Sequence, residues 1–279
     1  MTFDVSHHEV REAVRRALEE DIGDGDITSR YTVASDRSAS GAFFAREDMV
    51  LAGPELLSVI YERRGGIDHL VIEKQSGSPA VAGDRIATVH GNARTLLECE
   101  RVALNFMQRL SGVATLARRY ADSVAGTKCK ILDTRKTTPG LRRLEKMAAA
   151  AGGVTNHRLG LFDAILIKNN HITAAGGVAP ALHSAKAAGV PVEIEVRTRA
   201  ELDEALQNGA TRLLLDNLTP AEAGEWIRHI DGRASVELSG GITLETVRAY
   251  AEAGADFISA GAITHSAPAV DINFRLQWQ

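Results

Sequence analysis

The chain has 279 residues and a formal net charge of −4, with 44% hydrophobic and 24% charged residues. Those values describe a globular protein of one large or two modest domains, on a scale of ~150 residues per domain, and exclude a disordered chain. The weakly acidic balance argues against a general partner of nucleic acid or of anionic membrane. No apolar run approaches the ~18 residues of a membrane span, so no membrane partner is expected. The first residues are polar and then helical, without the apolar stretch of a secretory signal. Only Cys99 and Cys129 are present, with no CxxC pair, which fits a reduced, cytoplasmic protein. In chain order, a helix is expected over residues 6–20, with Val10, Ala13, Val14, Ala17 and Leu18 on one face. Asp21 to Asp26 breaks it. Strand-like runs follow at 41–45, 49–52, 69–73 and 80–90, punctuated by Gly, Pro and Ser. A long amphipathic helix then carries Leu96, Leu97, Ala103, Leu104, Met107 and Leu110.

The expected organisation is therefore an N-terminal α+β sandwich domain, residues 1–112, and a second domain, residues 113–279. In the second, short apolar strands begin near Ile131, Ala164, Val192, Arg212, Ser235 and Phe257, with helical patterns between them. Repeated βα units imply a parallel sheet covered by helices. Residues 113–279 fall short of the ~200 residues of a small eight-unit barrel. An incomplete α/β barrel of six or seven strands is expected. An open doubly wound sheet is the alternative, but no GxGxxG follows the first strand.

Chemistry in such barrels sits at the C-terminal strand ends. There the chain places Arg135, Lys136, His157, Arg158 and Lys168. So many cations in an acidic protein imply a multiply anionic ligand, because guanidinium forks grip carboxylates and phosphates. Any one of them, taken alone, reads equally as a surface charge. Glu193 and Glu195 share one strand face, Glu237 shares a face with Ser239, and Asp216 closes its strand. Structural pairing is a serious alternative for Glu193 and Glu237. Glu195 and Asp216, nearer the strand ends, read as functional, able to meet Mg²⁺ or ribose hydroxyls. Ser239-Gly240-Gly241 and Gly261-Ala262 end the last two strands, where backbone amides and a following helix can cradle a phosphate. Taken alone, each reads as an ordinary turn. His171 and His265 read as supporting or packed histidines. No His/Cys spacing suggests zinc, and Ser239 has no nucleophile elbow.

Taken together, these motifs resemble the quinolinate phosphoribosyltransferase family. The resemblance runs over almost the whole chain. It is carried by Glu20-Asp21-Ile22-Gly23-Asp24-Gly25-Asp26-Ile27-Thr28, Glu100-Arg101-Val102-Ala103-Leu104-Asn105 and Leu110-Ser111-Gly112-Val113-Ala114-Thr115. It continues in Asp133-Thr134-Arg135-Lys136-Thr137-Thr138-Pro139-Gly140, His157-Arg158-Leu159-Gly160-Leu161, Ile167-Lys168-Asn169-Asn170-His171, Ser239-Gly240-Gly241-Ile242 and Ala262-Ile263-Thr264-His265-Ser266. It implies joining of quinolinate and phosphoribosyl pyrophosphate to give nicotinate mononucleotide, pyrophosphate and CO₂. It implies a homodimer, with higher assembly left open, in which the first domain of one subunit covers the barrel mouth of the other. Arg101 matches the arginine that crosses to the partner's substrate; by itself it reads as a helix-surface charge. Arg135, His157 and Arg158 match the residues that hold quinolinate's carboxylates. Lys136 and Lys168 match lysines near the carboxylates and pyrophosphate. Glu195 and Asp216 match acids at the ribose hydroxyls and Mg²⁺, the ion itself being held mainly through pyrophosphate and water. Ser239, Gly240, Gly241 and Gly261, with Ala262 beside them, match the 5′-phosphate cradle. Lys136, Lys168, Glu195 and Asp216 are the implied catalytic set, with Mg²⁺ as the one cofactor.

Asp133-Thr134-Arg135-Lys136 lacks the adjacent acids of the loop that binds phosphoribosyl pyrophosphate in the common phosphoribosyltransferase fold. Arg197, Asn169 and Leu238 depart from the family pattern without removing a ligand group. Rival readings are a Schiff-base aldolase using Lys168, a non-catalytic relative associated with molybdenum transport, and a nicotinate-using relative.

Overall fold

The computed structural model describes residues 3–277. Two compact units are formed. The first gathers residues 1–118, 137–153 and 263–279; the second gathers 119–136 and 154–262. This division differs from a single cut at residue 112, because the chain returns twice to the first unit.

The first unit opens with α1 (His8–Ile22) and α2 (Ile27–Thr32). The side chain of Asp26 starts α2 by accepting the Ser29 N–H at 3.0 Å. There follow β1 (Ser38–Ala45), β2 (Met49–Val50), α3 (Leu56–Glu62), β3 (His69–Ile72), β4 (Pro79–Ala80) and β5 (Arg85–Asn92). The run expected over 80–90 is split. Val81 donates its N–H to the Asp84 carboxylate at 2.9 Å, and Gly83 has φ +96°, so a turn separates β4 from β5. The long helix α4 (Ala93–Ser123) extends well past residue 112, since Val113, Ala114, Ala117 and Tyr120 continue its buried stripe. Asn92 caps it through its Oδ1, which accepts the Arg94 N–H at 3.0 Å.

The strand order of the first sheet is β12 (Ile272–Gln277), β1, β5, β3, with antiparallel neighbours. β12 comes from the far end of the chain. Its Phe274 ring lies so near Gly41 that a Cβ there would sit 2.1 Å from the ring. The family-like run at 110–115 has a structural task here. Buried Ser111 accepts the Ala52 N–H at 3.0 Å, and Thr115 accepts the Val50 N–H at 2.9 Å. α5 (Arg142–Ala151) also belongs to this unit. Within it, Arg109 is paired with buried Glu145 at 2.8 Å.

The second unit holds β6 (Lys130–Leu132), β7 (Ile165–Ile167), β8 (Val192–Val196), β9 (Arg212–Asp216), β10 (Ser235–Ser239) and β11 (Phe257–Ser259). All neighbours are parallel, in the order β6-β11-β10-β9-β8-β7. Leu132 makes a further parallel bridge to Thr155 beside β6. Six strands and this bridge form the incomplete α/β barrel. α6 (Asn169–Ala175), α7 (Val178–Lys186), α8 (Arg199–Gln207), α9 (Pro220–Ile230) and α10 (Val247–Glu252) connect the strands, and α11 (Ala262–His265) follows β11. On β8, Glu193 and Glu195 are both buried, although they are acids. No helix among the described residues is long and apolar enough to cross a membrane.

Candidate active site

The barrel unit sets its charged groups at the strand positions expected of them. At the end of β6, fully buried Asp133 accepts the His157 N–H at 2.8 Å and the Asn156 side-chain amide at 2.6 Å. Asp133 thereby fixes the segment that carries His157 and Arg158. Arg135 is half-buried and Lys136 exposed, with the Lys136 N–H bonded to Thr134 Oγ1 at 3.1 Å. Arg158 donates to the Ala164 carbonyl at 3.0 Å. Burial lowers its pKa first, and the Arg135 guanidinium nearby lowers it further. Two guanidinium groups brought together in this way favour a bound anion.

Lys168, after β7, donates to Glu195 Oε2 at 2.8 Å. His171 supports it: its Nδ1 accepts the Lys168 N–H at 2.9 Å. At the end of β9, Asp216 has a donor on each oxygen. Ser239 Oγ donates to Oδ1, and Asn217 Nδ2 donates to Oδ2 at 2.6 Å. Asn217 is left-handed at φ +59°, and Gly240 at φ +99° lies against it. A Cβ on Gly240 would sit 2.3 Å from Asn217 Oδ1, so both the angle and the approach demand glycine there. Because its one hydroxyl proton goes to Asp216, Ser239 can offer a phosphate no donor from its side chain in this arrangement.

The expected helix support for a phosphate is slight. α10 begins only at Val247, and α11 has four residues. Any cradle there therefore rests on the loop amides of Gly240, Gly241 and Gly261 and on the first amide of the short α11 at Ala262, with little support from a helix dipole. Gly261 and Ala262 are half-buried at the end of β11. Arg101 is exposed on α4 and belongs to the first unit.

One group of residues was left undecided between structure and function by the sequence. Glu193 and Glu237 are almost fully buried. Arg212 links them, with Nε 3.0 Å from Glu193 and Nη2 2.9 Å from Glu237. Its guanidinium lies 4.5 Å from the centre of the Phe257 ring. His157 Nε2 lies 3.3 Å from Glu193 and 3.4 Å from Glu237. The ligand atoms of His157, Glu193 and Glu237 lie within 4.8 Å of one another, close enough to hold a metal ion. The Arg212 guanidinium already serves as the cation for both carboxylates. Burial lowers the pKa of His157, but hydrogen bonding to the two glutamates outweighs it and raises the value to about 9. Against that pull, Nδ1 accepts the Arg158 N–H at 2.7 Å, a bond only an unprotonated Nδ1 can make. The geometry is that of the neutral ring with its proton on Nε2. Burial raises the pKa of Glu193 and outweighs the His157 hydrogen bond, which lowers it. Arg212 escaped notice in the sequence because it opens its strand rather than closing it.

Parallel βα strands ending in cations and acids define an α/β-barrel protein with a strand-end site suited to an anionic ligand, and comparison with known proteins makes this specific. The profile of the quinolinate phosphoribosyl transferase N-terminal domain matches residues 26–111, and that of the C-terminal domain matches residues 113–275. The chain belongs to the quinolinate phosphoribosyltransferase family. It is 40% identical to the chloroplastic nicotinate-nucleotide pyrophosphorylase [carboxylating] of Arabidopsis thaliana, over 96% of this chain and 83% of that protein. It is 39% identical to the nicotinate-nucleotide pyrophosphorylase [carboxylating] of Mycobacterium leprae, over 99% of this chain and all of that one. Among solved structures, the nicotinate-nucleotide pyrophosphorylase from Francisella tularensis superposes with a TM-score of 0.92 at 36% identity, covering 99% of this chain and 100% of that one. NadC from Streptococcus pyogenes gives 0.94 at 34% identity, covering 100% of both chains.

Proposed function

We propose that this chain is a decarboxylating quinolinate phosphoribosyltransferase of NAD biosynthesis. It converts quinolinate and phosphoribosyl pyrophosphate to nicotinate mononucleotide, pyrophosphate and CO₂. The observation that carries this reading is the set of cations that follow β6 and precede or follow β7: Arg135 and Arg158, near enough for one guanidinium to act on the other, and Lys168 in its 2.8 Å ion pair with Glu195. The two guanidiniums bind the adjacent carboxylates of the pyridine ring. Bound there, the ring nitrogen faces C1′ of the phosphoribosyl group and attacks it as pyrophosphate departs. Positive charge grows on the ribose during that step, and the carboxylates of Glu195 and Asp216 stabilise it. Lys136 and Lys168 balance the departing pyrophosphate. Once ribosylated, the pyridinium ring accepts the electron pair left when CO₂ is lost from the carbon beside nitrogen. A proton then replaces the CO₂.

The donor set suits Mg²⁺, a hard cation that takes one or two carboxylates and keeps several waters and phosphate oxygens. Glu195 and Asp216 would hold it. When bound, Mg²⁺ neutralises pyrophosphate charge. The loop amides of Gly240, Gly241 and Gly261, with the first amide of α11 at Ala262, would receive the 5′-phosphate. The reading extends to a homodimer in which Arg101 completes the partner's site, and to a cytoplasmic location consistent with two buried free cysteines. The salt bridge from Lys168 to Glu195 works against the Schiff-base reading, in which the lysine attacks as a free amine.

The test is a product assay on purified protein with phosphoribosyl pyrophosphate and Mg²⁺, with quinolinate in one tube and nicotinate in another. Release of CO₂ and mononucleotide with quinolinate alone is the expected result, and chelation of the metal should abolish it. Turnover of nicotinate, or silence from folded protein, would overturn the reading.

A further inference from the structure

Arg212 is not among the strand-end residues assigned to the substrate. It opens β9 four residues before Asp216, so roughly 13 Å of strand separates it from the functional end. A residue at that end of a barrel strand ordinarily serves stability. Yet Arg212 ends a continuous chain of bonds that leads to the candidate substrate site. The guanidinium joins Glu193 to Glu237. Both glutamates face the Nε2 of His157. The opposite ring nitrogen takes the Arg158 N–H at 2.7 Å. Asp133 holds the His157 amide from behind at 2.8 Å. Both ring nitrogens are thus committed inside the protein, one to the buried carboxylates and one to the backbone that carries Arg158.

We infer that Arg212, through Glu193 and Glu237, fixes the orientation of the His157 ring and thereby the backbone position of Arg158. Arg212 is a positioning residue for the carboxylate-binding arginine, and this role rests on the function proposed above. The physical reason is charge. Two buried carboxylates side by side repel each other and need a cation between them. A planar fork binds both at once: it takes Glu193 Oε1 and leaves Glu193 Oε2 to the imidazole, while Glu237 Oε2 meets the fork and the imidazole together. Without the fork, the carboxylates separate or take protons, and the ring loses the pair of acceptors that orients it. Lysine restores the charge but not the fork.

The experiment has two arms. In the first, long-range ¹H–¹⁵N spectra of the ligand-free protein report which ring nitrogen of His157 carries the proton; His157→Gln identifies the signal. The expected pattern is a protonated Nε2 and a bare Nδ1 in the parent, lost or averaged in Arg212→Met. In the second, KM for quinolinate rises roughly tenfold in Arg212→Met while KM for phosphoribosyl pyrophosphate stays within about twofold. Arg212→Lys recovers part of the quinolinate effect, and it replaces Arg212→Met if that variant does not fold. An unchanged ring pattern in a folded Arg212 variant overturns the inference. So does a ring that responds while the ratio of the two KM values does not, because that breaks the link to Arg158. A parent protein without quinolinate turnover whose ring pattern still responds to Arg212→Met would overturn the proposed function and support the ring-orienting role by itself.

Discussion

Arg135 and Arg158 lie on two different loops of the barrel unit, one after β6 and one held by Asp133, close enough for the charge of Arg135 to act on Arg158. Each guanidinium–carboxylate contact contributes about 1.5–3 kcal/mol. Arg135→Ala or Arg158→Ala alone should therefore weaken quinolinate binding roughly ten- to hundredfold. The double variant should abolish detectable binding in calorimetry while its circular dichroism and melting temperature stay close to the parent's. Wild-type turnover by the double variant would refute the assigned carboxylate site. At this scale the sequence made the cations legible, because five of them close or precede successive strands. The cluster of His157, Glu193, Glu237 and Arg212 was legible only in part. Glu193 and Glu237 announced themselves as charges in apolar strands, so a partner had to exist. Arg212 could not be named as that partner, since which side chain bridges two strands depends on register, and β9 sets Leu213 beside Ile194 and Val236. The commitment of Ser239 to Asp216 was equally hidden, being a contact across 23 residues.

Elements with strong periodicity were the readable ones. α1 and α4 follow their apolar stripes, and the six barrel strands begin within a residue or so of their apolar runs. α2, α3 and β12 were missed for physical reasons. α2 and α3 have six and seven residues, too short for a helical period to stand out. β12 gains its partner β1 from more than 200 residues away in the chain, a pairing no local pattern encodes. α2 nevertheless carries a signal at its start, the Asp26 cap. Hydrogen bonds from the Ser29 hydroxyl and amide hold the Asp26 carboxyl below its ordinary value. A lowered folded pKa means that this stabilisation is complete above the unfolded value of 3.8 and is lost as pH falls through the lower folded value. Asp26→Ala should cost about 1 kcal/mol in urea unfolding at neutral pH. Asp26→Asn, which keeps an acceptor but no titrating group, should recover most of that and flatten the pH dependence below pH 4. Equal acid sensitivity in Asp26→Asn and the parent would rule out the cap as its source.

The whole molecule is divided in sequence more intricately than a cut between two domains. The first unit takes in 137–153 and 263–279, so neither unit is one continuous stretch of chain. Truncation at residue 112 would accordingly strip β1 of its β12 neighbour and leave the Gly41 face open. The family profiles divide at 111 and 113, which follows the sequence rather than these compact units. Arg101 belongs to the first unit, while the strand-end cations and acids belong to the second. The homodimer proposed above would give Arg101, exposed on α4, a place in the partner's site. The consequence is a test by complementation. Arg101→Ala and Lys168→Ala should each be inactive as homodimers. Mixed by unfolding and reassembly, half of the dimers combine one copy of each, and each such dimer has one site with both residues intact. The mixture should regain about a quarter of the parent activity, because a two-fold interface gives every site the same two contributors. If Arg101 acts within its own chain, every site in the mixed dimers still lacks one of the two residues, and the mixture is no more active than its parents.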